Sequence, residues 1–362
     1  MPVPIFVFLA LAMVLVFTYT NGFHDAANAI ATVVATKVMT PRQAVIWGAF
    51  WNLVGALGGT AVATTVGAGL VDTSYVTLAT IFCAMTAGAV WNVTTWYFGL
   101  PASSSHSLIG GLFGAALASA RSWKVLKWSV ADTDPKTGQV VMDGIYHKVV
   151  IPMISSPIAG FVGGFLVMGL LFLLIRPLRR ALVNALFGKL QVLSCTYMAW
   201  SHGFADGQKT MGVMALAVFA ATQAGQLEHL PPWLQFLRTP RFEIATWVKW
   251  SCGLAMALGT YIGGWKIIKT LGHKLVSLRP VNGFAAETTG ATILLVTGIL
   301  GMPVSTTHSI TTAIMGVGCA RSFGALDWVI TERIMWAWVM TIPAAGAIAY
   351  LLVRLLAALG MH

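Results

Sequence analysis

The sequence predicts an all-α polytopic membrane protein, an inverted repeat of about ten membrane crossings that include broken or re-entrant helices. Three observations predict it. Apolar runs of membrane-spanning length recur along the whole chain. Only 9% of residues are charged and 57% are hydrophobic, whereas about a quarter of a soluble domain is charged. Finally, two polar motifs each occur twice, in the same order, inside this apolar background.

The apolar runs lie near 3–20, 43–66, 76–98, 149–175, 192–222, 244–265, 284–300, 304–320 and 331–357, most of them close to or above the ~20 residues a helix needs to cross a bilayer. A tenth, 104–120, is shorter and Gly/Ser-rich, which predicts a broken or re-entrant piece. The first run has no basic flank and leads into Asn21-Gly22-Phe23-His24-Asp25 with no small-residue cleavage site, so it reads as a mature helix rather than a signal peptide.

The repeated motifs divide the chain. Gly22-Phe23-His24-Asp25 is answered by Gly203-Phe204-Ala205-Asp206, and Pro101-Ala102-Ser103-Ser104-Ser105-His106-Ser107 by Pro303-Val304-Ser305-Thr306-Thr307-His308-Ser309. Proline, histidine and the flanking serines of the second pair recur at one offset of 202 residues. This predicts a first repeat at 1–175, a basic connector at 176–191 with Arg176-Pro177-Leu178-Arg179-Arg180, and a second repeat at 192–362. An insertion at 224–243 explains why the two aspartates are only 181 residues apart. Two polar, helix-interrupting sites in corresponding places of two apolar halves are the pattern of a secondary transporter.

The net charge of +11 is no nucleic-acid footprint, because the basic residues gather in short loops as the positive-inside rule requires. Arg176, Arg179, Arg180 and Lys189 form one cluster, Lys266, Lys269, Lys274 and Arg279 another, and Lys37 and Arg42 a smaller one. With these loops cytoplasmic, the first half runs outside to inside through five crossings and the second returns through five, leaving both termini outside. The segment 121–148 then lies outside despite Arg121, Lys124, Lys127, Lys136 and Lys148, partly offset by Asp132, Asp134 and Asp143. Cys83, Cys195, Cys252 and Cys319 sit in apolar spans without C-x-x-C spacing and read as small buried hydrophobes. No P-loop is present, so ATP-driven pumping and a nucleotide cofactor are not expected.

Chemistry concentrates in the repeats. An ionised aspartate at mid-membrane depth costs about 2.5–3.5 kcal/mol on insertion scales and is tolerated beside a partner or a wet cavity. Gly22 and Gly203 predict unwound helix beside Asp25 and Asp206, where exposed carbonyls, the carboxylates and an amide such as Asn28 can coordinate a hard cation. Capping a kinked helix is the plain alternative. The hydroxyl motifs predict helix N-termini, whose caps, free N–H groups and roughly +0.5 partial charge bind an oxyanion without basic side chains. Ordinary Ser/Thr packing between helices is the alternative there. His24, His106, His202 and His308 are open between proton or anion contacts and structural hydrogen bonds. Glu287, whose counterpart is Met85, is a third intramembrane acid and a candidate for the coupling ion. Asn52 and Asn92 read as packing or hydrogen-bonding residues. Ser105 and His106 are adjacent, so they do not face each other as a hydrolase nucleophile and base would; an intramembrane hydrolase is a remote alternative.

The stretch Asn21-Gly22-Phe23-His24-Asp25-Ala26-Ala27-Asn28-Ala29, the two Pro-x-Ser-[Ser/Thr]-[Ser/Thr]-His motifs and Asp206-Gly207-Gln208-Lys209-Thr210-Met211-Gly212 resemble the inorganic phosphate transporter (PiT) family over nearly the whole chain. The resemblance implies symport of phosphate with a cation across a bacterial inner membrane. It implies phosphate at Ser103, Ser104, Ser105, Ser305, Thr306 and Thr307, and the coupling ion at Asp25, Asn28 and Asp206. Two departures bear on coupling. Lys209 stands where sodium-coupled relatives carry asparagine, and Ala205 removes an amide beside the second acid. A lysine ammonium there offers itself to the anion or takes the place of Na⁺, which favours H⁺ coupling or uptake of a neutral metal–phosphate complex. Sulfate remains an alternative substrate, and the oligomeric state is open. No resident metal is assigned.

Overall fold

Two helices carry the aspartate motifs through the middle of the molecule: α1 (Val3–Ala35) in the first half and α7 (Arg180–Gln223) in the second. In this computed structural model residues 3–133 and 140–360 are described; Asp134 and Lys136, used in the charge reading, lie outside them. The first half continues with α2 (Pro41–Ala56), α3 (Ala61–Thr64), α4 (Leu78–Tyr97), α5 (Ser104–Ala120) and α6 (Ile151–Ile175). The second adds α8 (Thr246–Ile262), α9 (Trp265–Lys269), α10 (Pro280–Ile299), α11 (Thr306–Cys319) and α12 (Trp328–Ala358).

The halves interlock. α1 packs on α8 and α2 on α7; α5 packs on α12 and α11 on α6; α4 lies against α5 and α10 against α11. These six pairings fall into three corresponding twos. Four segments, Ile5–Ala35, Leu78–Tyr97, Tyr146–Ile175 and Trp328–Ala358, are each long and apolar enough to cross a membrane. Pro41–Ala56 and Ala61–Gly69 qualify together as a pair bent by 70°. Many large apolar side chains are exposed, among them Leu166, Leu173 and Leu174 on α6 and Trp336, Val339 and Leu351 on α12. That inversion of the soluble pattern is what a hydrocarbon solvent demands, and the chain is a multi-pass membrane protein.

The structure corrects the reading of Gly22 and Gly203. Neither unwinds its helix: α1 and α7 run helical through both aspartate motifs. The glycines serve close approach instead. A Cβ on Gly22 would lie 2.2 Å from the Met256 carbonyl oxygen, and one on Gly203 2.1 Å from that of Asn52. Gly259 and Gly55 return the contact, at 2.2 Å from the Tyr19 oxygen and 2.0 Å from the Trp200 oxygen. Small residues at such seams let membrane helices touch backbone to backbone.

Helix breaks occur where hydroxyls lie. The chain is extended before α5 and again before α11, with Gly99 (φ +67°) and Gly301 (φ +67°) ending the preceding helices. The expected connector is mostly helix, since α7 already begins at Arg180. The fold also departs from all-α by one antiparallel hairpin, β1 (Val130–Thr133) with β2 (Val140–Asp143), register Val130↔Asp143 to Thr133↔Val140. β-branched residues at its strand positions account for it. The four cysteines are buried and unpaired.

Candidate functional site

α5 and α11 begin alike. Ser103 is the N-cap of α5 and accepts a hydrogen bond from the His106 amide at 3.1 Å; Ser305 caps α11 through the His308 amide, also at 3.1 Å. The Pro two residues before each cap suits an extended approach, and the remaining first-turn N–H groups have no intrahelical acceptor. These N-termini meet: the Ser105 hydroxyl donates to the Val304 carbonyl at 3.2 Å.

α1 and α7 close the site from the other side. Asp25 Oδ1 bonds His24 Nδ1 at 2.8 Å and accepts from the Thr307 hydroxyl at 3.3 Å. Asn28 Nδ2 donates to Thr306 at 3.2 Å and to Thr307 at 2.9 Å. Thr306 also donates to Asp206 Oδ2 at 3.1 Å. Lys209 reaches back one turn to the Asp206 carboxylate, touches the Ser105 hydroxyl and donates to the Val304 carbonyl at 2.6 Å. Every one of these side chains is at most 3% exposed, so the charges are desolvated and the Lys209–Asp206 pair is strongly constrained.

Carboxylate and imidazole atoms of Asp25, His202 and Asp206 lie within 4.8 Å of one another, a donor set able to hold a cation. His202 Nε2 stands 3.4 Å from Asp206 Oδ2 without hydrogen-bond alignment, its other nitrogen being bound to Asn52 Oδ1 at 2.8 Å. Asp25 Oδ2, Asn28 Oδ1 and the Ser104 hydroxyl are buried without a protein partner. Buried polar atoms of this kind ask for an explanation, and all three belong to residues named as candidates from the sequence.

The histidines fall into two classes. His24, which also reaches Thr95 at 3.0 Å, and His202 contact the carboxylates. His106 and His308 instead pack edge-to-face with centroids 4.7 Å apart, and His308 stacks on Trp338 at 3.9 Å. Both line an apolar cavity of about 710 Å³ and make no polar contact with Asp25 or Asp206.

Glu287 also lies apart. On α10, it accepts from Thr32 of α1, from Ser194 of α7, and from Gln191 Nε2 at 3.1 Å. Thr32 is seven residues past Asp25, two helical turns or about 10 Å along α1. Thr32, Gln191 and Ser194 were not singled out from the sequence, yet a signal existed. Asp25, Asn28 and Thr32 share one face of α1, and Gln191, Ser194, His202, Asp206 and Lys209 fall close to one stripe of α7 at helical spacing.

Comparison with known proteins agrees. The phosphate transporter family model matches residues 21–349. A probable low-affinity inorganic phosphate transporter of Rhizobium meliloti (strain 1021) is 41% identical over 339 residues, 92% of each chain. One of Bacillus subtilis (strain 168) is 38% identical over 345 residues, covering 94% of this chain and 95% of its own. A solved structure titled "The sodium-dependent phosphate transporter" shares the fold at a TM-score of 0.80 and 22% identity, covering 98% of this chain and 99% of that one. These matches are to transporters and set aside the hydrolase alternative. A chain matched over this length, with the duplicated motifs meeting at one buried centre, belongs to the phosphate transporter family.

Proposed function

We propose that this protein carries inorganic phosphate across the bacterial inner membrane with a cation, on an inverted-repeat frame of about ten crossings with both termini outside. The reciprocal helix pairing of the two halves supports the repeat. Phosphate binds between the N-termini of α5 and α11, using the hydroxyls of Ser104, Ser105, Thr306 and Thr307, first-turn N–H groups and the Lys209 ammonium. Ser103 and Ser305 hold the caps that aim those groups. Asp25, Asn28 and Asp206 serve the coupling cation, with His24 and His202 beside them and Glu287 as a second carboxylate along α1.

The observation that carries the coupling reading is the place of Lys209. Its ammonium lies among a carboxylate oxygen, a hydroxyl and a carbonyl 2.6 Å away, the oxygen set that a hard monovalent cation would choose. A permanent positive charge there opposes Na⁺ at Asp206 and leaves Asp25 to take a proton, or phosphate to arrive as a neutral metal complex. The test is uptake of radiolabelled phosphate into proteoliposomes under separately imposed H⁺ and Na⁺ gradients, with and without Mg²⁺ and with sulfate as competitor. Uptake should follow the proton gradient or Mg²⁺ without sodium, and Lys209→Asn should weaken phosphate affinity and introduce a sodium response. Strict sodium dependence of the wild type, indifferent to the proton gradient, would overturn this reading; complete competition by equimolar sulfate would move the substrate to sulfate.

A further inference from the structure

Four arginines converge where α6 ends. Arg176 follows α6, Arg180 opens α7, Arg279 precedes α10 and Arg321 follows α11, and all four line one cavity of about 450 Å³. They come from three separate places in the chain, 176–180, 279 and 321. No aspartate or glutamate lines the cavity. Among the described residues none of the four pairs with a carboxylate, and their guanidinium groups donate no hydrogen bond to the protein. Guanidinium is weakly hydrated and presents five donors in a fixed fork suited to phosphate oxygens. Four such groups around one cavity repel each other unless an anion lies between them.

The walls say which anion. Phe172, Ile175 and Leu178 form an apolar side, and it continues up α6 through Leu173 and Leu174, exposed at 70% and 61%. A free phosphate ion has no use for that surface, while an acyl chain lies naturally along it. The cavity thus places a cationic end beside a lipid-facing helix, at the segment whose charge the positive-inside rule puts in the cytoplasmic leaflet. Loop arginines that merely set topology have no reason to share a cavity.

We propose that this cavity binds the phosphodiester headgroup of an anionic phospholipid of the cytoplasmic leaflet, its acyl chains running along α6. The site bridges α6 and α11, which pack together, to the starts of α7 and α10, so an occupant would brace the junction between the two halves. This site is separate from the phosphate site proposed above and does not depend on it.

The test uses the full-length protein in nanodiscs of phosphatidylcholine with or without dianionic cardiolipin. Ligand that binds only the folded state raises its stability by mass action, and the expected rise in thermal midpoint is about 5 °C. Arg176→Gln/Arg321→Gln should lose most of that rise. Arg42→Gln/Lys274→Gln, an equal loss of exposed charge elsewhere, should keep it. If the double variant does not fold, Arg321→Gln alone should halve the effect or more. A second arm adds inorganic phosphate or pyrophosphate to phosphatidylcholine nanodiscs. Stabilisation by those soluble anions through the same arginines, without a cardiolipin effect, overturns the lipid assignment. A cardiolipin rise that both double variants retain equally overturns the site.

Discussion

Ser103 at the start of α5 and Ser305 at the start of α11 hold the same bond to the third amide of their helices, at 3.1 Å in both. From the next residue on, the copies part. Thr306 and Thr307 are committed to Asp206, Asn28 and Asp25. In the first half Ser105 meets only Lys209 and a carbonyl, and Ser104 has no partner at all. The acids differ likewise, since Asp206 is neutralised by Lys209 whereas Asp25 keeps an oxygen free. Duplication has preserved the backbone device and let the side chains specialise. Around the two caps, Asp25 Oδ2, Asn28 Oδ1 and the Ser104 hydroxyl of the first half stand without a partner, and the second half adds His202 Nε2.

The largest effect should come from the paired acid. Asp206→Asn strands the Lys209 ammonium in a buried site, at a cost of about 3–5 kcal/mol, with uptake abolished. Asp25→Asn should also abolish coupled uptake but with a smaller loss of stability, about 1–3 kcal/mol. Adding Lys209→Met to Asp206→Asn should restore stability and not transport. Thermal midpoints in detergent and proteoliposome uptake read both. Equal destabilisation by the two single variants would erase the contrast between the halves.

Next in size is Glu287, which has only Met85 opposite it in the first half. Its oxygens accept from Thr32, Gln191 and Ser194. Glu287→Gln keeps the size and most hydrogen-bonding capacity, so its midpoint should move by no more than a few degrees. Uptake should fall at least tenfold, because the neutral amide can neither bind nor release a proton or cation. Normal uptake with a lowered midpoint would make Glu287 a structural member of the α1–α7–α10 junction.

Much of this was legible beforehand. The apolar character of the spans and the helix starts after Pro101 and Pro303 follow from hydropathy and repetition, while among the described residues four helices and one bent pair, not ten, are long and apolar enough to cross a membrane. Gly22 and Gly203 were misread because glycine permits both unwinding and close approach. Only the neighbours decide between them, and Met256 and Asn52 lie far away in sequence. The separation of Glu287 from Asp25 was likewise invisible, since it depends on which face of α10 meets α1. The histidine pair gave no signal either: His106 and His308 trail their hydroxyls as His24 precedes Asp25, yet a third helix carrying Trp338 draws one ring into a stack.

A smaller and more selective effect is expected at the hydroxyls. Ser104→Ala removes a group with no protein partner, so it should leave stability unchanged and raise KM for phosphate by about 10–150-fold, from a lost bond of roughly 1.5–3 kcal/mol to a charged ligand. Thr306→Ala should raise KM and also lower the midpoint, since it frees Asp206 and Asn28 of a partner. A KM change without destabilisation in both variants would mean that Thr306 leaves its protein partners during turnover.

The smallest effect is where the halves should still agree. Ser103→Ala and Ser305→Ala each delete one N-cap bond, worth about 1 kcal/mol, which lowers the midpoint by roughly 1–2 °C in either case. Each helix keeps its other first-turn N–H groups, so KM should change far less than for Ser104→Ala. The capping hydroxyl is held by an amide of its own helix, and a ligand would have to displace that bond before using it. Matched shifts in midpoint with a near-normal KM place these serines in the frame of the site. A rise in KM for Ser103→Ala as large as for Ser104→Ala, absent in Ser305→Ala, would show that the first-half cap opens to the substrate. The asymmetry between the halves would then begin one residue earlier than the structure places it.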